Sequence, residues 1–198
     1  MTSPRVKSAF PMLVLTSAIL FGSAISEARS DPLSDAAGQY RIEPSSRIAF
    51  NVGKVGGGGI SGDFGEFRGT FRIDAKDVGR STVQLTLLPE SVRTGEPRVE
   101  KFLRSDAVFD VANFPEITFR STRVTRIGEN SARLEGVLTA RGKSKKASFD
   151  IAVASRTARG IAFRVRGKIL RSLYGMDVGT PIYSNVVDFD MDLHGSRR

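Results

Sequence analysis

Three carboxylates at alternate positions near the end of the chain, Asp188, Asp190 and Asp192, are the first residues whose type and spacing suggest chemistry. In an extended strand they stand on one face about 7 Å apart, where they could hold a cation. The residues between and around them, Val187, Phe189, Met191 and Leu193, are apolar. The simpler reading is a solvated strand face opposite a core face, with Arg164 and Arg166 of a neighbouring strand as its partners. His194 is the only histidine, and there is no cysteine. No zinc set of His and Cys can be assembled from that inventory. A Ser-His-Asp triad would have to place its base on the polar face of a terminal strand. Gly57, Gly59 and Gly62 satisfy G-x-G-x-x-G, but the following D-F-G-E-F-R-G-T-F-R-I-D reads as strand, where a dinucleotide site needs a helix. Gly142-Lys143-Ser144 has Val137 where a phosphate loop needs glycine, and Asp63-Phe64-Gly65 lacks the other parts of a kinase. No catalytic residue, metal or cofactor is expected, and the chain reads as a binding protein and not an enzyme.

What remains is aromatic and basic. Arg141, Lys143, Lys145 and Lys146 form the densest basic turn; they are candidates to meet an anionic head group, against the alternative of a solvated hairpin tip. The formal net charge is +9, which suits anionic lipid surfaces, phosphate-bearing ligands or acidic polymers. The phenylalanines fall into a pattern set by the elements that carry them. From Gln39 onward the hydrophobic period is two: Ile48, Phe50 and Val52, then Phe67 and Phe71, then Val83, Leu85 and Leu87. Ile161, Phe163, Val165 and Ile169 later oppose charged neighbours, and the Val187 to Leu193 set does the same. Such alternation predicts half-buried antiparallel strands, near 40–54, 60–73, 81–90, 116–127, 131–140, 143–155, 160–170 and 184–194. Gly69 and Gly167 share the inward parity and are expected to leave room beside the rings. Pro97, with Val99, Phe102 and Leu103 on one face, predicts a short helix near 97–111. Ser105 and Asp106 have the side chains of helix starts, so a second helical turn should carry Phe109 and Phe114 into the strand of Phe119. Eight amphipathic strands favour a closed barrel, which has no exposed edges, over an open sheet; a two-sheet sandwich would alternate in the same way.

The first residues read as an address. Arg5 and Lys7 precede an uncharged apolar stretch, Ala9 to Gly22, and Ser26 and Ala28 are small residues ahead of a cleavage site. We read 1–28 as a cleaved export signal, 29–38 as a linker and 39–196 as one domain. A periplasmic or secreted location follows.

The run L-R-S-D-A-V-F-D-V-A-N-F-P-E-I-T-F-R-S, Leu103 to Ser121, resembles the signature of the YceI-like family of periplasmic polyisoprenoid-binding proteins. Four further pieces stand in the family's order: Y-R-I-E-P-S-S-R-I-A-F from Tyr40, I-S-G-D-F-G-E-F-R-G from Ile60, L-T-A-R-G-K-S-K-K from Leu138 and Y-G-M from Tyr174. The resemblance implies an all-β, extended eight-stranded antiparallel barrel, lipocalin-like, with a short helical insertion. It also implies a hollow apolar interior holding a long isoprenoid or similar lipid. The candidate lining is Phe50, Phe67, Phe71, Phe109, Phe114, Phe119, Phe163 and Phe189. Many members carry histidines in the first strand and in the L-T-x-H-G turn; this chain has Ser45-Ser46, Gly53 and Arg141 in those places, so no role resting on them transfers. The expected partners are the lipid and, transiently, an anionic membrane surface, with no nucleic acid; a homodimer is left open. Two other readings stand beside this one: an exported interaction or stress-response scaffold without a lipid, and a small outer-membrane barrel.

Overall fold

Alternation makes the strands, and their register bends them into a ring. The computed structural model describes residues 1–2 and 36–198, so the expected export signal and nearly all of the linker lie outside the described residues. Among the described residues, eleven strands and one α-helix follow in order: β1 (Gly38–Ile42), β2 (Arg47–Gly53), β3 (Gly59–Phe64), β4 (Phe67–Ile73), β5 (Thr82–Leu87), β6 (Val92–Arg93), α1 (Pro97–Arg104), β7 (Ile117–Gly128), β8 (Ser131–Ala140), β9 (Lys143–Arg156), β10 (Gly160–Leu170) and β11 (Val186–Arg197). Every pairing is antiparallel, and the order β1-β4-β5-β7-β8-β9-β10-β11 closes when β11 pairs with β1. One edge of β11 serves two partners: Asp188 to Asp192 pair with β2, and Gly195 pairs with Ile42 of β1. β1 and β2 are thus two halves of one interrupted strand, as are β3 and β4. The expected eight-stranded barrel is present, with interruptions that the alternation did not reveal.

The interruptions have local causes. Pro44 has no N–H to give to a ladder; around it Glu43 N donates to His194 O at 2.8 Å, and Ser46 Oγ accepts from His194 N at 2.9 Å. The expected strand 81–90 stops at Leu87 because Pro89 opens a 3-10 turn. The last strand instead outruns its expected end and reaches Arg197.

α1 starts at Pro97 as expected but ends at Arg104, short of residue 111. Ser105, expected to begin a helical turn, terminates one: its hydroxyl donates to Phe102 O at 2.7 Å, a local bond that competes with further helix. The chain to Phe114 then runs as turns, with Asp110 at φ 52° and Phe114 N donating to Asp110 O at 2.8 Å.

Outside the barrel, the three aspartates stand opposite cations on β10. Lys168–Asp188, Arg166–Asp190 and Arg164–Asp192 lie 3.2, 3.7 and 3.4 Å apart, following directly from the strand register. Two of these partners, Arg164 and Arg166, are the ones the alternation points to. Each pair is exposed and contributes at most about 1 kcal/mol, so the ladder marks which face is wet more than it stabilises the sheet. Asp150 takes a two-pronged bond from Arg133, at 2.7 and 3.1 Å, which holds its carboxyl below the usual carboxylate range.

The connections divide between the two ends of the barrel. The hairpin turns at 54–58 and 141–142, the 88–116 insertion carrying α1, and the 171–185 connection gather at one end. The 74–81, 129–130 and 157–159 turns lie at the other.

Candidate binding cavity

The inward set does not fill the barrel. A cavity of about 430 Å³ runs from α1 (Arg98, Val99, Phe102, Leu103) down to Val78 and Ser81 at the opposite end. That volume is within the range of small-ligand sites, about 300–1,000 Å³. Its wall is apolar except for a few groups: Arg72, Ser81, Arg98, Arg171 and the tyrosines Tyr174 and Tyr183.

The rings explain why space remains. Five phenylalanine pairs meet in the wall: Phe50–Phe64 at 5.5 Å between centroids, Phe64–Phe109 at 5.9 Å, Phe71–Phe163 at 5.6 Å, Phe119–Phe149 at 5.1 Å and Phe149–Phe189 at 6.2 Å. Several of these rings lie against a glycine on the neighbouring wall. Phe50 covers Gly62, Phe119 covers Gly136, Phe149 covers Gly167 and Phe71 covers Gly195; a Cβ at any of the four glycines would overlap the ring. A ring seated against a glycine lines a barrel wall without blocking its axis, the arrangement known as aromatic rescue. This corrects the sequence reading of Gly69 and Gly167. Neither is an open gap beside a ring, since Gly69 is covered by Ile42, 2.6 Å from an added Cβ, and Gly167 by Phe149. They make room by seating side chains against the wall.

Six of the expected lining residues, Phe50, Phe71, Phe109, Phe119, Phe163 and Phe189, are in the wall. Phe67 packs against the core without reaching the cavity wall. Phe114 leaves the barrel axis altogether and lies over the β8–β9 turn, where its ring is 3.0 Å from the position of a Cβ on Gly142. The alternation also carries Phe64 and Phe149, which belong to the wall; Phe64 shares its face of β3 with Ile60.

The four basic residues of the β8–β9 turn are not in the wall. Arg141 sits at φ 46°, and its guanidinium donates to Gly175 O at 2.8 Å, tying the hairpin to the 171–185 connection. Lys143 points at Gly175, while Lys145 and Lys146 are exposed. The cations in the wall are Arg72, Arg98 and Arg171. Arg171 continues the parity of Ile161, Phe163, Val165 and Ile169, so the alternation contained its signal; Arg98 on α1 had none.

Arg171 is buried and organises one end of the cavity. Its guanidinium donates to four backbone carbonyls: Ser184 O at 2.8 Å, Val178 O at 2.9 Å, Tyr183 O at 3.3 Å, and Met176 O. Burial pushes its pKa down, with Asp177 acting weakly in the other direction. The planar fork of an arginine suits several acceptors at once, and here it gathers the 176–184 segment into a wall. Beneath it Tyr174 is almost fully buried, which pushes its pKa up. α1 is anchored differently: the Glu100 carboxylate accepts from Thr94 N at 2.8 Å and Gly95 N at 3.2 Å. These bonds hold its pKa below the usual carboxylate range.

The sequence matches the YceI-like domain over residues 40–195, the span of the whole barrel. The chain belongs to the YceI-like family. Among its relatives, Protein YceI of Escherichia coli is 28% identical over 189 residues, covering 93% of this chain and 96% of that one. A UPF0312 protein of Ectopseudomonas mendocina is 33% identical over 140 residues, 71% and 69% of the two chains. The crystal structure of BcnA from Burkholderia cenocepacia superposes with a TM-score of 0.72 at 22% identity, covering 77% of this chain and 98% of that one. A structure described as a polyisoprenoid binding domain from Saccharophagus degradans, implicated in plant cell wall breakdown, gives 0.67 at 17% identity over 82% and 99%. At these identities the two structures establish the barrel fold that YceI-like chains share.

Proposed function

We propose that this YceI-like protein is a non-enzymatic carrier that holds one long isoprenoid or similar amphiphilic lipid inside the barrel, for transport, storage or sequestration. The observation that carries the reading is the apolar cavity running from α1 to the far turns, kept open by rings laid on glycines. Each CH₂ moved from water into such a wall gains about 0.8 kcal/mol, so a hydrocarbon chain is held there without specific polar contacts. The description of the Saccharophagus degradans domain as polyisoprenoid binding supports the same ligand class. A membrane-embedded barrel does not suit the outer face, where β10 and β11 present six charges in register, against the apolar band such barrels need.

Residues 1–28 suit export to the periplasm or beyond, leaving 39–196 as the working domain. N-terminal sequencing of the exported protein should return a start near Arg29; a start at Met1 or Thr2 would remove the cleavage. Organic extraction of the purified native protein followed by mass spectrometry should recover a long-chain lipid in near-equal amount to protein. A wild type that never carries lipid, even after exposure to polyisoprenoids, would leave the interaction-scaffold reading in its place.

A further inference from the structure

Large apolar side chains that remain exposed are concentrated at one end of this barrel. Val55, Phe102, Leu170, Leu173, Val178 and Ile182 all belong to the end that carries α1 and the 171–185 connection. Four of them, a collar of apolar tips, lie at or beside the cavity's end. Phe102 and Val178, each 43% exposed, are also part of the cavity wall, so they stand where it meets the surface. Val55 and Ile182, 74% and 57% exposed, are locked side by side by the bond from Val55 N to Ile182 O at 3.0 Å. Lys54 and Tyr183 form the adjoining bridge, and Tyr183 returns to the cavity wall. Exposed apolar side chains thus flank the same segments, 54–55 and 178–183, that reach the cavity wall through Val178 and Tyr183.

We propose that this collar docks on the surface of a bilayer containing anionic lipid, with Val55, Phe102, Val178 and Ile182 entering the headgroup region. The inference rests on the lipid-carrier reading for its purpose, since a cargo that partitions into hydrocarbon must cross from bilayer to cavity. Its geometry is independent of that reading. Charge favours a membrane over a second copy of the chain: at a net +9, or +8 without the Arg5, Lys7 and Glu27 of the expected signal, copies repel one another and anionic lipid attracts them. The collar segments carry the cations Lys54, Arg98, Lys101 and Arg104, beside the acidic Glu96, Glu100 and Asp177, and Arg104 and Glu100 pair with each other at 3.6 Å. The arrangement of apolar tips among cations is that of surface-lying membrane segments.

The chain contains no tryptophan, so a single introduced indole reports on one place. Ile182→Trp should shift its emission to the blue on addition of phosphatidylglycerol vesicles and be quenched about twofold or more when the acyl chains are brominated. Ile127→Trp, 50% exposed at the opposite end, should do neither. The double variant Val55→Glu/Ile182→Glu, at two positions outside the cavity wall, should lose co-flotation with the same vesicles by about tenfold or more. Circular dichroism melts check that both forms are folded, and Val55→Ser/Ile182→Ser serves if the glutamates are not tolerated. No shift at residue 182, equal shifts at 182 and 127, or unchanged flotation of both double variants overturns the proposal. So does dimerisation in sedimentation velocity that the glutamates abolish while vesicles bind nothing, which would make the collar a self-interface. The lipid extracted from the folded variants is measured separately: a wild type that docks but never carries lipid keeps the docking surface and removes the carrier.

Discussion

At the scale of single residues, the cavity is set by what stands behind each ring. Phe149 can lie against the wall because Gly167, its directly paired neighbour on β10, has no side chain. Gly167→Ala therefore acts on the lumen at one remove: its methyl drives the Phe149 ring off the wall and toward the axis. We expect a cost of about 1–3 kcal/mol, the range for overpacking, and a lower lipid load in the extracted protein. Thr70→Leu on the outward face of β4 should leave the load intact. A Gly167→Ala variant that keeps its full load would mean the ring has another place to go. This dependence was not legible in the sequence. Alternation placed Gly167 and Phe149 on the inward face, but inward parity does not distinguish a gap from a seat, because that depends on which glycine each ring meets across the register. Arg171 lies within reach of the same parity argument, and was hidden by the expectation that inward residues are apolar.

Elements decide where the cavity ends. The 176–184 segment is held from the inside by one buried guanidinium and from the outside by the 53–55 strand end. Arg171→Ala leaves four carbonyls without that donor and should cost about 1–3 kcal/mol, the range for buried hydrogen-bonding groups left unsatisfied. Hydrogen exchange should then show residues 176–184 opening well before the strands, with Arg171→Lys restoring only part of the protection. A uniform loss over the whole barrel would mean Arg171 supports the core and not the segment. α1 depends on acid–base state instead. Glu100 has its pKa depressed in the folded protein, so its support is present above the ordinary value of 4.5 and is lost as pH falls through the lower folded value. Amides of Thr94 and Gly95 should lose protection below pH 4.5, and Glu100→Gln should remove that pH dependence. The start of α1 was readable from Pro97; its end was not, because Ser105 fits a helix start and a helix stop equally well until its hydroxyl has a partner.

For the whole molecule, the eight-stranded ring was legible because a period of two runs through each strand and continues across Pro44, although at Gly65 the inward parity changes, from Ile60 and Phe64 to Phe67 and Phe71. What the period could not supply was closure, which rests on β11 meeting β1 and β2 along a single edge. Tyr40 marks the seam: its ring stacks on Phe71 at 4.8 Å, and its hydroxyl donates to Ala36 O at 2.7 Å and accepts from Arg197 at 3.1 Å. Deleting Val186 to Arg197 should leave open edges on β10 and on the β1–β2 strand. Such a chain should appear as aggregate on size exclusion and not as a smaller monomer. A monodisperse truncated protein would mean the sheet re-closes without its last strand.

That seam also orders events in time. Its contacts join residues about 150 positions apart, Gln39 to Arg198 and Glu43 to His194 among them, and long-range pairings of this kind form late in folding. Before β11 is made there is a curved sheet with no interior, so a growing chain has nothing in which to enclose a hydrophobic molecule. Capture must come after the last strand has zipped into place. Under the proposed carrier function, a lipid inside the barrel was therefore taken up by the finished barrel and not by the nascent chain.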